Sequence, residues 1–336
     1  MLERQKDRII AEVIDKMNFF SRMLTKGNAP RIGALAVMFA AFLWGFDGVA
    51  LTPRLYTLDV VNVVFLEHAL AFLFMIPLLW IEIKELRKLN RRDWLAFVWI
   101  ALFGGAIGTM AITQALFLVG FVPLSVPILI QKLQPLFAIG LAVILLKEKP
   151  TKRFYAYAAL ALLGSYLITF GFATPVVSIE NKTLLAALLG LVAAFAFGTS
   201  TTVGRYAVEK VNYRVSTYLR FGLTALIMGA LVLALGKLGN FAAVTQFQWL
   251  VLFVIVFTTG GLAIGIYYYG LRSVPAAKAT FYELALPFTV IVLDWLVNGK
   301  VLTPGQFLGA AILVYAVLKI NQSKVGLGPG EKEIEA

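Results

Sequence analysis

Apolar and polar positions alternate along this chain in long blocks rather than at short periods. Runs of about 20 apolar residues recur, the length that crosses a hydrocarbon core of about 30 Å at 1.5 Å per residue. Ten such segments can be bracketed, at 33–52, 60–80, 95–117, 123–146, 154–173, 184–204, 215–235, 249–271, 275–298 and 304–320. Backbone groups in lipid must bond internally, so segments of this length predict helices. A barrel would need short alternating segments, and none is present. The expected fold class is therefore an all-α polytopic membrane protein with ten transmembrane helices.

Composition agrees with that pattern. The 336 residues are 60% hydrophobic and only 14% charged, too little charge to cover a water-facing surface of this size. The formal net charge of +12 raises the question of nucleic acid, and its distribution argues against it. Of 30 Lys and Arg, 24 fall in alternate loops and the two tails, four in the other loops and two inside helices. That asymmetry is the positive-inside signature and places both termini in the cytoplasm of a prokaryotic plasma membrane. With no cysteine, disulfides and thiolate chemistry are excluded. Residues 1–31 carry Arg4, Lys6, Arg8, Lys16, Arg22 and Lys26, with Ile10, Val13, Met17, Phe20 and Leu24 at helical spacing. They read as an amphipathic cytoplasmic segment on the membrane surface rather than a cleavable leader. Residues 322–336, Gly-rich and acidic, read as a disordered cytoplasmic tail.

An internal repeat follows. Ala40-Ala41-Phe42-Leu43-Trp44-Gly45 recurs as Ala193-Ala194-Phe195-Ala196-Phe197-Gly198, an offset of 153. The same offset carries Phe65-Leu66-Glu67 onto Tyr218-Leu219-Arg220. Val122-Pro123 recurs as Val274-Pro275 and Pro135-Leu136-Phe137 as Pro287-Phe288-Thr289, both at 152. Several matches in one order at nearly one offset indicate a duplication. The repeats span 32–173 and 184–321. Five helices per half is an odd number, so the second half is expected to be inverted relative to the first. Inverted repeats build secondary transporters with a midplane site between the halves.

With these motifs the chain resembles the drug/metabolite transporter superfamily, in its EamA-type branch. The likeness rests on Phe42-Leu43-Trp44-Gly45, on Leu102-Phe103-Gly104-Gly105 followed by Ala115-Leu116, and on the segment Pro127 to Glu148, repeated in Gly190–Arg205 and Val274–Lys300. It implies ten helices around a central cavity, alternating access, and solutes such as amino acids, metabolites or drugs. Where many relatives carry an Arg in the second helix, this chain has Glu67-His68, and the second copy keeps Arg220.

Charges inside spans cost about 2.5–3.5 kcal/mol each on insertion scales, so each needs a reason. Asp47, Glu67, Lys132, Arg220 and Glu283 lie well inside helices, His68 is the one histidine, and Asp294 sits nearer a helix end at the interface. Repeat symmetry maps Glu67 onto Arg220 and Gln131, beside Lys132, onto Glu283. It predicts two ion pairs with signs exchanged, Glu67–Lys132 and Arg220–Glu283, acting as solute contacts, proton sites or gates, or else as static helix ties. Three acids against two bases point to a proton as coupling ion, or to a cationic or zwitterionic solute. His68 is either its relay or a histidine bonded to a backbone carbonyl.

Trp44, Phe197, Tyr267, Tyr268, Tyr269, Phe281 and Tyr282 are candidate stacking residues, with helix packing as the alternative. Pro127, Pro135 and Pro287 interrupt two helices and free carbonyls beside Gln131 and Gln134. The candidate binding or gating set is thus Trp44, Asp47, Glu67, His68, Gln131, Lys132, Gln134, Arg220, Tyr268, Tyr282 and Glu283. No cofactor or metal site is expected. The expected partners are a small-molecule solute and membrane lipid. An uncoupled channel, a lipid translocator and an intramembrane enzyme are the other readings. One histidine and no cysteine leave an enzyme few options.

Overall fold

The computed structural model describes residues 29–118, 125–174, 182–298 and 301–326. The amphipathic segment expected before residue 29, the tail after 326, and the side chain of Asp294 lie outside the described residues.

Among the described residues, ten helices are long and apolar enough to cross a membrane. They are α1 (Ala29–Leu55), α2 (Val60–Pro77), α3 (Arg91–Leu118), α4 (Pro127–Leu146), α5 (Lys152–Phe170), α6 (Leu184–Lys210), α7 (Tyr213–Ala234), α8 (Gln246–Leu271), α9 (Ala276–Leu293) and α10 (Pro304–Gln322). Several run past the apolar blocks that predict them, α3 and α6 among them. At the start of α3, Asn90 and Asp93 form a reciprocal capping box, which draws the polar residues from 91 onward into the helix. At the end of α6 the Arg205–Glu209 pair, one turn apart at 2.8 Å, carries the helix to Lys210. Thr245 with Gln248 and Thr303 with Gln306 cap α8 and α10 in the same way.

The helices pack in a symmetric pattern. α1 lies on α8 and α9, α6 on α3 and α4, α2 on α7, and α5 on α10. Exchanging each helix of the first half for its counterpart five places later leaves this pattern unchanged. The α5–α10 contact is the closest, because glycines face backbone there. A Cβ on Gly309 would stand 2.3 Å from the Ile168 amide, and one on Gly164 2.7 Å from the Leu313 amide. Small residues at a crossing let helices approach where lipid supplies no hydrophobic drive.

Leu35, Leu73, Ile144, Leu188, Leu226, Leu262 and Leu318 point outward and are exposed. This is the reverse of a soluble protein and the expected surface for a lipid-facing belt. Inside, one apolar cluster including Phe97, Ile100, Val208, Leu271 and Val274 fills the end where the basic loops gather. A second, including Leu55, Val63, Phe117, Met228 and Leu252, fills the opposite end. Between the two clusters lies a cavity.

Candidate functional site

Helices that are broken or widened build this cavity. Proline lacks an N–H and cannot bond the carbonyl four residues back. Pro135 therefore frees the carbonyl of Gln131, and α4 opens into a turn at Lys132-Leu133. Pro287 likewise removes the regular bond to the Glu283 carbonyl, which accepts instead from the Leu286 amide at 3.1 Å, and α9 opens at Glu283-Leu284. Both breaks carry a charged side chain. Four stretches are wound as π-helix, at Asp47–Leu51, Ile100–Ile107, Ala142–Leu146 and Val256–Gly260. Such wide turns cluster at functional sites because they disturb the regular backbone bonding.

The cavity has a volume of about 240 Å³. Trp44, Asp47, Glu67, His68, Gln131, Lys132, Gln134, Arg220 and Glu283 all line it. Glu67 stands seven residues into α2 and Arg220 seven into α7, each about 10 Å from the end where its helix begins. Tyr268 does not line the cavity. It stands behind Arg220, whose Nη1 donates to the Tyr268 hydroxyl at 3.4 Å. Tyr282 is turned away and donates to the Asn321 side chain at 2.8 Å. Among the aromatic candidates, Tyr267 and Phe197 line the cavity, and Trp44 meets Tyr267 with ring centroids 5.3 Å apart.

The expected ion pairs do not form. Among the described residues no ion pair joins Glu67 to Lys132 or Arg220 to Glu283. Glu283 instead accepts from the Gln134 amide at 2.6 Å, from the Tyr267 hydroxyl at 2.9 Å and from Thr201 at 3.4 Å. Thr201 and Tyr267 are themselves 2.8 Å apart, closing the cluster. Arg220 donates from Nη2 to the carbonyl of Gly104 at 2.6 Å, inside the wide turn of α3. Asp47 accepts from Thr52 at 3.0 Å. Neutral donors thus hold Glu283 and a backbone carbonyl holds Nη2 of Arg220, two of the four charges that the repeat pairs with each other, while Arg220 Nε is buried without a hydrogen-bond partner among the described residues. Desolvating two ions to pair them is costly, and hydrogen bonds from neutral groups remove the need. Lys132 is 4% exposed and faces the cavity, with Glu283 the acid whose field reaches it.

Gly104 explains how α3 comes close enough to hold Arg220. A Cβ there would lie 2.1 Å from Ser200 Oγ and 3.1 Å from Arg220 Nη1. Several cavity hydroxyls escaped the sequence reading, namely Thr113, Ser200 and Thr201, along with the Gly104 carbonyl. One signal was present for the α6 members: Thr199-Ser200-Thr201-Thr202 is a run of hydroxyls in the middle of an otherwise apolar helix. A backbone carbonyl carries no such signal.

With this geometry in hand, comparison with known proteins identifies the architecture. The model of the EamA-like transporter family matches residues 31–170 and again 184–322. The chain belongs to the EamA-like transporter family. The riboflavin transporter ImpX of Fusobacterium nucleatum is 44% identical over 291 residues, covering 86% of this chain and 97% of that protein. The uncharacterized transporter YwfM of Bacillus subtilis is 24% identical and covers 88% of this chain and 95% of its own length. A solved crystal structure superposes with a TM-score of 0.63 at 16% identity, over 88% of this chain and 96% of that one, a likeness of fold. As an EamA-like transporter the chain is an integral membrane protein that moves a small-molecule solute, and no enzyme family is indicated.

Proposed function

We propose that this chain is a secondary carrier of riboflavin that works by alternating access between two inverted five-helix halves, with both termini cytoplasmic. The observation that carries the solute is the 44% identity, across nearly its whole length, to a protein named as a riboflavin transporter. The cavity chemistry supports it. Riboflavin joins a planar tricyclic ring to a polyhydroxyl chain. Trp44, Tyr267 and Phe197 offer aromatic faces for the ring. Thr113, Ser200 and Thr201 offer hydroxyls for the chain, and Lys132 and Gln131 offer donors for ring carbonyls.

A neutral solute leaves the cavity charges free for coupling or gating. Asp47 and Glu67 are two carboxyl groups that line the same space, which makes them the proposed proton site. The two-fold relation is supported by the helix packing, which is unchanged when the halves are exchanged, and inversion by the odd number of spans in each half. The decisive experiment is counterflow in liposomes. Purified protein preloaded with unlabelled riboflavin is expected to accumulate labelled riboflavin transiently and to saturate. Flux that neither saturates nor shows counterflow would identify an uncoupled pore, and absence of riboflavin flux would remove the solute.

A further inference from the structure

His68 lies on α2, 5% exposed, with its ring against Phe221 at 5.2 Å between centroids. Its Nδ1 stands 2.8 Å from the carbonyl oxygen of Val64. A carbonyl oxygen only accepts, so Nδ1 must carry the hydrogen. At pH 7 an imidazole with the ordinary pKa of about 6.5 is mostly neutral. The other nitrogen, Nε2, then holds a lone pair and no proton. Nε2 makes no hydrogen bond among the described residues and belongs to a residue that lines the cavity. The Val64 carbonyl therefore selects the tautomer that shows the solute a neutral acceptor.

The groups that share this space differ in kind. Lys132 and Arg220 only donate, and Arg220 is already held by Gly104. Glu283 is taken up by Gln134, Tyr267 and Thr201, and Asp47 by Thr52. Gln131 and Glu67 remain as rival acceptors, the first also a donor and the second an acid beside Asp47. Among the side chains that line the cavity, His68 alone combines neutrality with a pure acceptor whose orientation is fixed by a backbone bond. That matches a ring N–H, which carries no charge to compensate.

We infer that His68 Nε2 accepts a hydrogen bond from the imide N3–H of the riboflavin ring, and so selects heterocycles that carry a donor at that edge. This rests on the riboflavin reading above. A site built to bond a polar group discriminates strongly against an analogue that lacks it, because its own group is left unpaired.

Quenching of flavin fluorescence by purified wild type tests the riboflavin reading first: absence of binding removes that reading and this inference with it. Where riboflavin binds, three measurements address His68 alone. The chain has one histidine, so ¹⁵N-histidine labelling gives unassisted resonances for this ring. The spectrum is expected to show a protonated Nδ1 and an unprotonated Nε2, and riboflavin should move the Nε2 signal in the direction of hydrogen bonding. N3-methylriboflavin should bind wild type on the order of ten-fold more weakly. His68→Phe should weaken riboflavin by a similar factor, with His68→Gln recovering part of the loss through its amide oxygen. An unmoved Nε2 signal, equal binding of the two flavins, or full affinity in His68→Phe would each overturn the inference and leave the riboflavin reading standing.

Discussion

The side-chain amide of Gln134 donates to Glu283 at 2.6 Å, and this bond ties the broken turn of α4 to the broken turn of α9. Each break precedes a proline at the same place in its repeat, Pro135 in one half and Pro287 in the other. The tie therefore joins equivalent points of the two halves at the wall of the cavity. A carrier that rocks one half against the other must either carry this bond along or break it.

Removing the donors should reveal which. In Gln134→Leu the Glu283 carboxylate keeps Tyr267 and Thr201 but loses its shortest bond. Leaving a buried acceptor short of a partner costs about 1–3 kcal/mol. We expect a lowered melting temperature and slower transport, with partial recovery of stability in the Gln134→Leu, Glu283→Gln double variant, where the charge is gone. An unchanged Gln134→Leu protein would mean that the bond is idle.

Gly104→Ala should be more harmful than its size suggests. The added methyl meets Ser200 Oγ at 2.1 Å and Ser200 Cβ at 2.8 Å, so α3 must move off α6. Overpacking of this kind typically costs about 1–3 kcal/mol. The movement also draws the Gly104 carbonyl away from Arg220. Because the clash is with one side chain, Ser200→Gly should rescue it, and residues in contact are expected to couple in a double-mutant cycle. Additive effects on melting temperature would place the damage elsewhere.

The sequence reveals a feature to the extent that local residues determine it. The spans were legible because their length is set by the bilayer, and the duplication because it left Phe-Leu-Trp-Gly and Pro-Leu-Phe in register at one offset. The charged and amide residues of the cavity were legible because such a group within a span is costly unless it faces a polar space or a partner. The partners were not. Glu283 bonds Gln134 and Tyr267, and Arg220 bonds the Gly104 carbonyl, at a helix break and in a wide turn. Neither feature has a residue-level signature beyond the proline. Tyr282 was misplaced for a similar reason: it is adjacent to Glu283 in sequence, and adjacent helical residues face about 100° apart.

Glu148 should make stability pH-dependent with a definite sign. It lies just past the end of α4, outside the span, and both its oxygens accept from the start of α9, from the Ala276 amide at 2.7 Å and the Ala277 amide at 3.1 Å. Burial raises its pKa above the ordinary 4.5, and the two amide bonds offset this in part. A carboxyl whose folded pKa is raised binds more protons folded than unfolded, so its contribution declines as pH climbs above 4.5. The melting temperature of wild type relative to Glu148→Gln should therefore fall between pH 4.5 and neutrality. A constant difference across that window would show that Glu148 keeps its ordinary pKa.

The orientation of the whole assembly is open to a direct test, because the chain has no cysteine and any introduced thiol is unique. Lys88 is exposed in the basic connection between α2 and α3, and Gly239 is exposed in the sparse connection between α7 and α8. A side chain at 239 meets nothing within 4 Å, so cysteine is tolerated there. The positive-inside rule assigns the basic connection to the cytoplasm. A membrane-impermeant maleimide applied to intact cells should then label Gly239→Cys and spare Lys88→Cys until the membrane is opened. The same assignment fixes the direction of every helix, so that Arg220 and Glu283 lie about 10 Å from the cytoplasmic ends of α7 and α9 while Glu67 lies about 10 Å from the outer end of α2. Labelling in the opposite sense would exchange these depths and make Asp47 and Glu67 face the cytoplasm. The proposed proton site would then load from the other side of the membrane.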